Sequence, residues 1–478
     1  MNRFYQQLLK QPEGKTLEFK QDLSSPKPMM KAIVAFANTA GGRLIIGLSD
    51  DRKILGVDDP LSQEERLCSM IADSIAPRLV PNIEMVTIED KTILIAEVFL
   101  SGSRPHFLRA EGAETGVYVR LGSTNRQADR ELIAELRRSV EGTVFDEMPM
   151  IDLSIEDIDM AALTQSLPEK SSLSEADMQT LKLLVSHQGK QVPSKGAIVL
   201  FGRDRSRYFS DVWVQCGRFI GNDKSIILDH TELYDHLPLA VDNIMLFLKK
   251  HAMRGADFSA VRRKDVWSIP LGILREAVIN ALVHADYSQR GAPIRIAFFN
   301  DRIEIENPGI LLPGMTIDDM KQGISKIRNP VIARLFKEMN LIEQWGTGVP
   351  RMFSQAKELG LPEPQIVEIG MRLRCVVPLA VQIKAKENRT TEQVTEQVTE
   401  QVTEQVIKLI EILKNEPLGT KLIMQYLGLN HRPTFLYTYL QPALQSCLVE
   451  MTQPNSPKSP TQKYCLTTKG HQLVNHNS

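Results

Sequence analysis

Cysteine is scarce in this chain of 478 residues: there are five, Cys68, Cys216, Cys375, Cys447 and Cys465, and no two form a Cys-x-x-Cys pair. That spacing supports neither a zinc ribbon nor a disulfide framework, so a reducing compartment is expected. Long apolar runs are missing as well. No uninterrupted stretch approaches the roughly 20 residues that cross a bilayer. The opening Met1-Asn2-Arg3-Phe4-Tyr5-Gln6-Gln7 lacks the apolar segment of a secretory signal. A cytoplasmic location without a membrane partner is expected. Nor does one sign of charge dominate, because formal net charge is −1. Any nucleic-acid surface must therefore be local, carried by one domain rather than by the whole molecule. Nothing matches the Walker phosphate loop, which argues against a helicase motor.

What is present is ordinary globular composition, 42% hydrophobic and 24% charged. The length calls for three or four domains rather than one core. The expected class is α+β multidomain, divided as 1–140, a connector 141–235, 236–382, a linker 383–406 and 407–478.

In the first segment, 30–37 has helical spacing and stops at Asn38-Thr39-Ala40-Gly41-Gly42, after which 43–48 reads as a buried strand. Strands are expected at 83–88, 92–99 and 116–120, and a helix at 129–140. In the connector, 175–186 reads as a helix and the apolar run 197–201 as a strand. The third segment opens with an amphipathic helix at 271–283, then strands at 294–298 and 302–305 and a helix at 330–339.

Glu276 and Asn280 stand four apart and so share one helix face. An amide oxygen can ligate magnesium, a hard cation, while a carboxylate can polarise a water for attack on a γ-phosphate. Taken alone, such a pair is more often solvated surface. Two later features change the weighing. Asn307-Pro308-Gly309 ends a strand, and Gly346-Thr347-Gly348 offers backbone N–H groups free of side-chain interference to phosphate oxygens.

Leu274-Arg275-Glu276-Ala277-Val278-Ile279-Asn280-Ala281-Leu282-Val283-His284-Ala285-Asp286-Tyr287, Ile305-Glu306-Asn307-Pro308-Gly309 and Gly346-Thr347-Gly348 together resemble the divergent GHKL-type ATPase domain of RecG-like helicase-related proteins and transcriptional regulators. The resemblance implies a Bergerat-type α/β sandwich that binds ATP and Mg2+. In it Glu276 would be the water-activating base, Asn280 the magnesium ligand and Asn307 the adenine-recognising residue. Gly309 would follow in the adenine loop, with Gly346, Thr347 and Gly348 beside the phosphates. The chain departs from that family in carrying Asn307 where an aspartate is usual, which removes a charge-assisted bond to the base.

The segment Glu13-Gly14-Lys15-Thr16-Leu17-Glu18-Phe19-Lys20, then 35–50 with Phe36-Ala37-Asn38-Thr39-Ala40-Gly41-Gly42, then Arg120-Leu121-Gly122-Ser123-Thr124-Asn125-Arg126, resembles the Schlafen/AlbA-type domain. The resemblance implies a nucleic-acid face to which Lys20, Arg43, Arg120 and Arg126 supply phosphate contacts, with DNA or RNA as partner. Some Schlafen proteins are metal-dependent RNases using three carboxylates. Glu13, Glu18 and Asp50 fall near those places and would hold Mg2+ or Mn2+. The plainer alternative has Glu18 paired to a base, with Glu13 and Asp50 solvated.

From 391 to 406 the motif Thr-Glu-Gln-Val is repeated four times, so its valines drift by about 40° per repeat around a helix. It reads as a partly helical linker or as an oligomerisation helix, which would make the protein a homo-oligomer. Residues 407–478 carry seven Lys and Arg against three Asp and Glu. Their three helical signals and a closing hairpin resemble a winged helix-turn-helix, with Arg432 near the start of the third helix, where it would reach DNA.

Two functions follow as expectations. The first is a nucleotide- and nucleic-acid-binding regulator, in which ATP in the GHKL-like domain modulates DNA or RNA engagement. The second is a Schlafen-like metal-dependent nuclease acting in antiviral defence.

Overall fold

The computed structural model describes residues 2–167, 173–252, 254–257, 264–267, 269–342, 346–379, 404–414, 416–429, 435–445, 448–453 and 462–476. The chain forms two compact units, 1–384 and 385–478.

The first unit opens with a four-stranded sheet. Its order is Leu17–Lys20, Gly42–Ile46, Lys91–Val98, Asn82–Ile88, with the first pair parallel and the others antiparallel. The helix Pro26–Asn38 begins with proline, whose fixed φ suits a first turn. It buries Ile33, Ala37 and Phe36 against Leu44, Ile46 and Leu94. Asp129 caps the helix Arg130–Glu141 by accepting from the Leu132 amide at 2.8 Å.

The second sheet has six strands in the order Ile227–Leu233, Val214–Phe219, Ile294–Phe298, Arg302–Pro308, Arg372–Pro378, Gln365–Ile369. Only Val214–Phe219 and Ile294–Phe298 run parallel. Ile296, Ile303, Ile305 and Val377 point from one face into a core shared with the helices Leu237–His251 and Leu271–His284.

Three expectations are corrected here. Residues 141–235 are not a separate connector, because two strands of the six-stranded sheet come from them and their apolar residues join the same core. Residues 197–201 are not a strand but the end of the helix Lys195–Phe201, which Ser194 caps through the Ala197 amide. A continuous buried apolar run carries no period, so only the cap distinguishes helix from strand there. The helix expected over 175–186 stops at Thr180, where Leu181 and Lys182 turn the chain into the strand Leu184–His187.

In the second unit, helices Glu404–Ile412 and Thr420–Tyr426 and a π-helical turn Phe435–Leu440 pack around Leu409, Ile423 and Phe435. A three-stranded sheet completes it, in the order Leu418–Gly419, Lys463–Leu466, Val449–Met451. Repeat residues 391–403, the candidate Arg432 and the expected wing tip at 454–458 lie outside the described residues. Among the described residues no helix is long and apolar enough to cross a membrane.

Candidate functional site

The helix Leu271–His284 buries one side in the core and turns Glu276, Asn280 and His284 toward a cavity of about 260 Å3. The cavity also draws on Asn307 and Gly309 from the end of the Arg302–Pro308 strand, and on Gly346 and Gly348. Six of the seven residues expected to hold a nucleotide therefore line one cavity, although their positions run from 276 to 348. The seventh, Thr347, is the N-cap of the 11-residue helix Gly348–Glu358 and makes no side-chain capping bond.

Asn280 donates to a Glu276 carboxylate oxygen at 3.0 Å, and Arg351 stands 3.5 Å from the other oxygen. That carboxylate lies over Gly348, where a Cβ would collide with it. Position 348 is thus glycine because the helix N-terminus and the Glu276 carboxylate share that space. Gly346 adopts φ +67° with its α-carbon against the Gly323 carbonyl, so the two loops meet without side chains between them. Asn307 is buried and donates to the Pro308 carbonyl at 3.0 Å, which leaves its amide oxygen as the acceptor.

Several wall residues were not singled out from the sequence: Lys326, Arg328, Arg351 and His284. Lys326, Arg328 and Arg351 sit outside the recognised motifs, so no local signal marked them, whereas His284 lies inside the 274–287 motif, one turn beyond Asn280. Burial, with Arg328 nearby, pushes His284 down to about 4, which keeps its ring neutral at pH 7. Arg328 is 6% exposed and binds Glu135 at 2.8 Å, with Asp286 at 3.7 Å and the Ile310 carbonyl accepting from its other nitrogen. Because Glu135 belongs to the Arg130–Glu141 helix, this ion pair ties the cavity wall to the N-terminal part of the same unit. A second tie runs through Glu368, which takes Lys15 at 2.8 Å and the amide of the wall residue Leu311 at 2.9 Å. The loop between them is held as well, the Gly314 amide donating to the Thr39 carbonyl at 2.7 Å.

The N-terminal candidates separate differently. Arg120 is fully buried and binds Glu18, the Gly14 and Leu17 carbonyls and Asn125, so it is a structural residue and not a phosphate contact. Its motif neighbours are also structural: Asn38 bonds the backbones of His106 and Tyr118, and the Thr39 hydroxyl accepts from the Arg120 amide. Lys20 reaches Glu18 at 2.6 Å, and Arg43 pairs with Glu97. Arg126 is exposed.

The three carboxylates do not gather. Glu18 is neutralised by Arg120 and Lys20, Glu13 accepts from the Phe19 amide at 2.9 Å, and Asp50 sits on an exposed turn. Among the described residues no group of three His, Cys, Asp or Glu side chains could hold a metal ion. The nuclease expectation loses its site, because a carboxylate already satisfied by two cations has little left for a third.

Three family models match separate segments of the chain. Residues 13–129 match the family model described as Schlafen, AlbA_2, and residues 291–377 the model described as putative ATP-dependent DNA helicase recG C-terminal. Residues 404–467 match the C-terminal domain of filamentation induced by cAMP (Fic-like) proteins. No curated protein matches the chain.

Among solved structures, a Corynebacterium diphtheriae protein is 17% identical, covering 96% of this chain and 94% of that one at a TM-score of 0.42. The N-terminal domain of a putative ATP-dependent DNA helicase RecG-related protein from Nitrosomonas europaea is 25% identical, covering 27% of this chain and 92% of that one at 0.22. A Fic family protein from Desulfovibrio desulfuricans is 16% identical, covering 72% and 77% at 0.15.

Proposed function

We propose that the chain is a nucleotide-dependent nucleic-acid-binding regulator in which ATP with Mg2+ occupies the Glu276–Asn280 cavity and biases how the N-terminal domain engages DNA or RNA. The observation that carries it is the convergence of Glu276, Asn280, Asn307, Gly309, Gly346 and Gly348 on one cavity whose wall is ion-paired to the N-terminal domain. This central domain is then a Bergerat-type sandwich.

The donor set fits the ligand. The N-terminal amides of the Gly348–Glu358 helix suit phosphate oxygens. The Asn307 amide oxygen would accept from an exocyclic amine. Asn280 would hold Mg2+ through its amide oxygen after releasing Glu276, and Glu276 would orient a water. Bound Mg2+ would neutralise phosphate charge. Arg328 and Glu368 carry the response, since the wall residue Arg328 binds Glu135, while Glu368, which holds the wall residue Leu311, takes Lys15. The C-terminal unit is a winged helix in this account, adding a second DNA contact.

A gel-shift titration of the full chain with and without Mg-ATP tests the proposal. Nucleic-acid affinity is expected to change at least about fivefold, the lower end of ordinary coupling. Identical affinities, with calorimetry showing that Mg-ATP is bound, would remove the regulatory half; absence of binding would remove the whole.

A further inference from the structure

A second cavity, of about 360 Å3, shares no lining residue with the first. That volume falls within the range of small-molecule sites. Its aromatic wall includes Phe145 and Trp213, and Trp213 is held in plane by stacking on Tyr234 at 5.4 Å. Three cations line it: Lys195, Arg207 and Arg290.

Lys195 is the informative one. It is half-buried at the first position of the Lys195–Phe201 helix, where a positive charge opposes the helix dipole. Its ammonium lies 4.5 Å over the Phe145 ring and 3.7 Å from the Met148 sulfur, and among the described residues no carboxylate pairs with it. Arg138 stands on the same ring at 5.6 Å, so like charge is added rather than removed. Arg207 and Arg290 likewise have no ion pair among the described residues. The cavity's own carboxylates do not answer them. Asp286 is committed to Ser288, Gln289 and Arg328, and Asp211 takes the Ser210 hydroxyl. The Phe145 face offsets part of the Lys195 charge, but among the described residues no carboxylate neutralises it, so an arriving anion would find a half-buried cation without a counter-charge.

We infer that this cavity binds a phosphate monoester carried on an aromatic base, with Lys195 and Arg290 holding the phosphate and the Trp213 side receiving the ring. The inference stands apart from the Mg-ATP proposal, since it uses none of that cavity's residues.

Calorimetric titration of the full chain with uridine 5′-monophosphate in EDTA tests it, with uridine as the unphosphorylated control. The monophosphate is expected to bind at least tenfold tighter than uridine, and Lys195→Met or Arg290→Ala to weaken it at least tenfold. Asn280→Ala, in the first cavity, should leave it within twofold. Short single-stranded DNA with a 5′-phosphate or a 5′-hydroxyl separates the two sources of this chemistry. A Lys195-dependent preference for the phosphate assigns the site to a nucleic-acid end, and equal binding assigns it to a free nucleotide. No binding by either phosphate probe, or binding lost in Asn280→Ala but kept in Lys195→Met, overturns the inference. So does a melting temperature of ligand-free Lys195→Met below that of wild type, because that would make Lys195 a structural residue.

Discussion

The Glu276 carboxylate occupies the space in which a side chain at Gly348 would have to lie, so a helix face and a helix N-terminus from distant parts of the chain close on one point. Replacing Gly348 by Ala forces one of them to move. Calorimetry on Gly348→Ala should show Mg-ATP affinity reduced at least about tenfold, or about 1.4 kcal/mol, with the circular dichroism spectrum unchanged. Unchanged affinity would mean that phosphates do not approach there.

Glu276→Gln keeps the hydrogen bond with Asn280 in outline but removes the base. Mg-ATP binding should stay within about threefold while any steady-state turnover falls by about 10²-fold, the lower range for a lost general base. A phosphate-release assay decides it, and equal turnover in the variant would transfer the role to another residue.

Arg328→Ala leaves Glu135 and Asp286 buried without their cation. Burial already raises Glu135 above its ordinary range, although Arg328 opposes that. Breaking a buried pair from one side costs about 3–5 kcal/mol, so the urea midpoint of the first unit should drop sharply. Glu135→Gln should be milder, because it removes the buried carboxylate and leaves Arg328 with Asp286.

Arg120 and Arg126 should behave oppositely. Arg120→Met leaves Glu18 with Lys20 alone and the Gly14 and Leu17 carbonyls without their donor, and should lower the melting temperature without any specific change in the salt dependence of nucleic-acid binding. Arg126→Ala should leave stability unaltered and reduce the slope of log affinity against log salt by about 1. Filter binding across a salt series distinguishes them, and an unchanged slope would remove Arg126 from the interface.

Asp146 gives the first unit a pH dependence. Its carboxylate accepts from the Val331 and Ile332 amides at the start of the Pro330–Glu338 helix, yet burial outweighs them and pushes it from 3.8 up to about 7. The folded state therefore holds the proton more tightly than the unfolded one. The stabilisation is full below about pH 4 and is lost as pH rises toward 7. Asp146→Asn should flatten that decline, as read from urea midpoints between pH 4 and 7.5; equal pH dependence in both proteins would assign it to other groups.

Much of the lining of the Glu276–Asn280 cavity was legible because those residues sit in short local patterns. Glu276 and Asn280 share a helix face by periodicity, and Gly346-Thr347-Gly348 marks a backbone left open. Arg328 and Lys326 were not legible, since nothing in a sequence says which distant cation will face a loop. The N-terminal motif was recognised correctly but Arg120 was given the wrong work: with Asn38 and Thr39 it holds the domain together from inside.

Local order along the chain was thus determined by the sequence itself: helix faces, turns at glycine, caps at Asp129, and the two motif sets. Tertiary structure alone decided that residues 141–235 lend two strands to the central sheet, that Glu18 is neutralised rather than metal-binding, and that Lys195 faces a cavity without a counter-charge. The physical reason is common to all three. Periodicity and turn chemistry act over a few residues, whereas burial and ion pairing depend on which distant segments share a core.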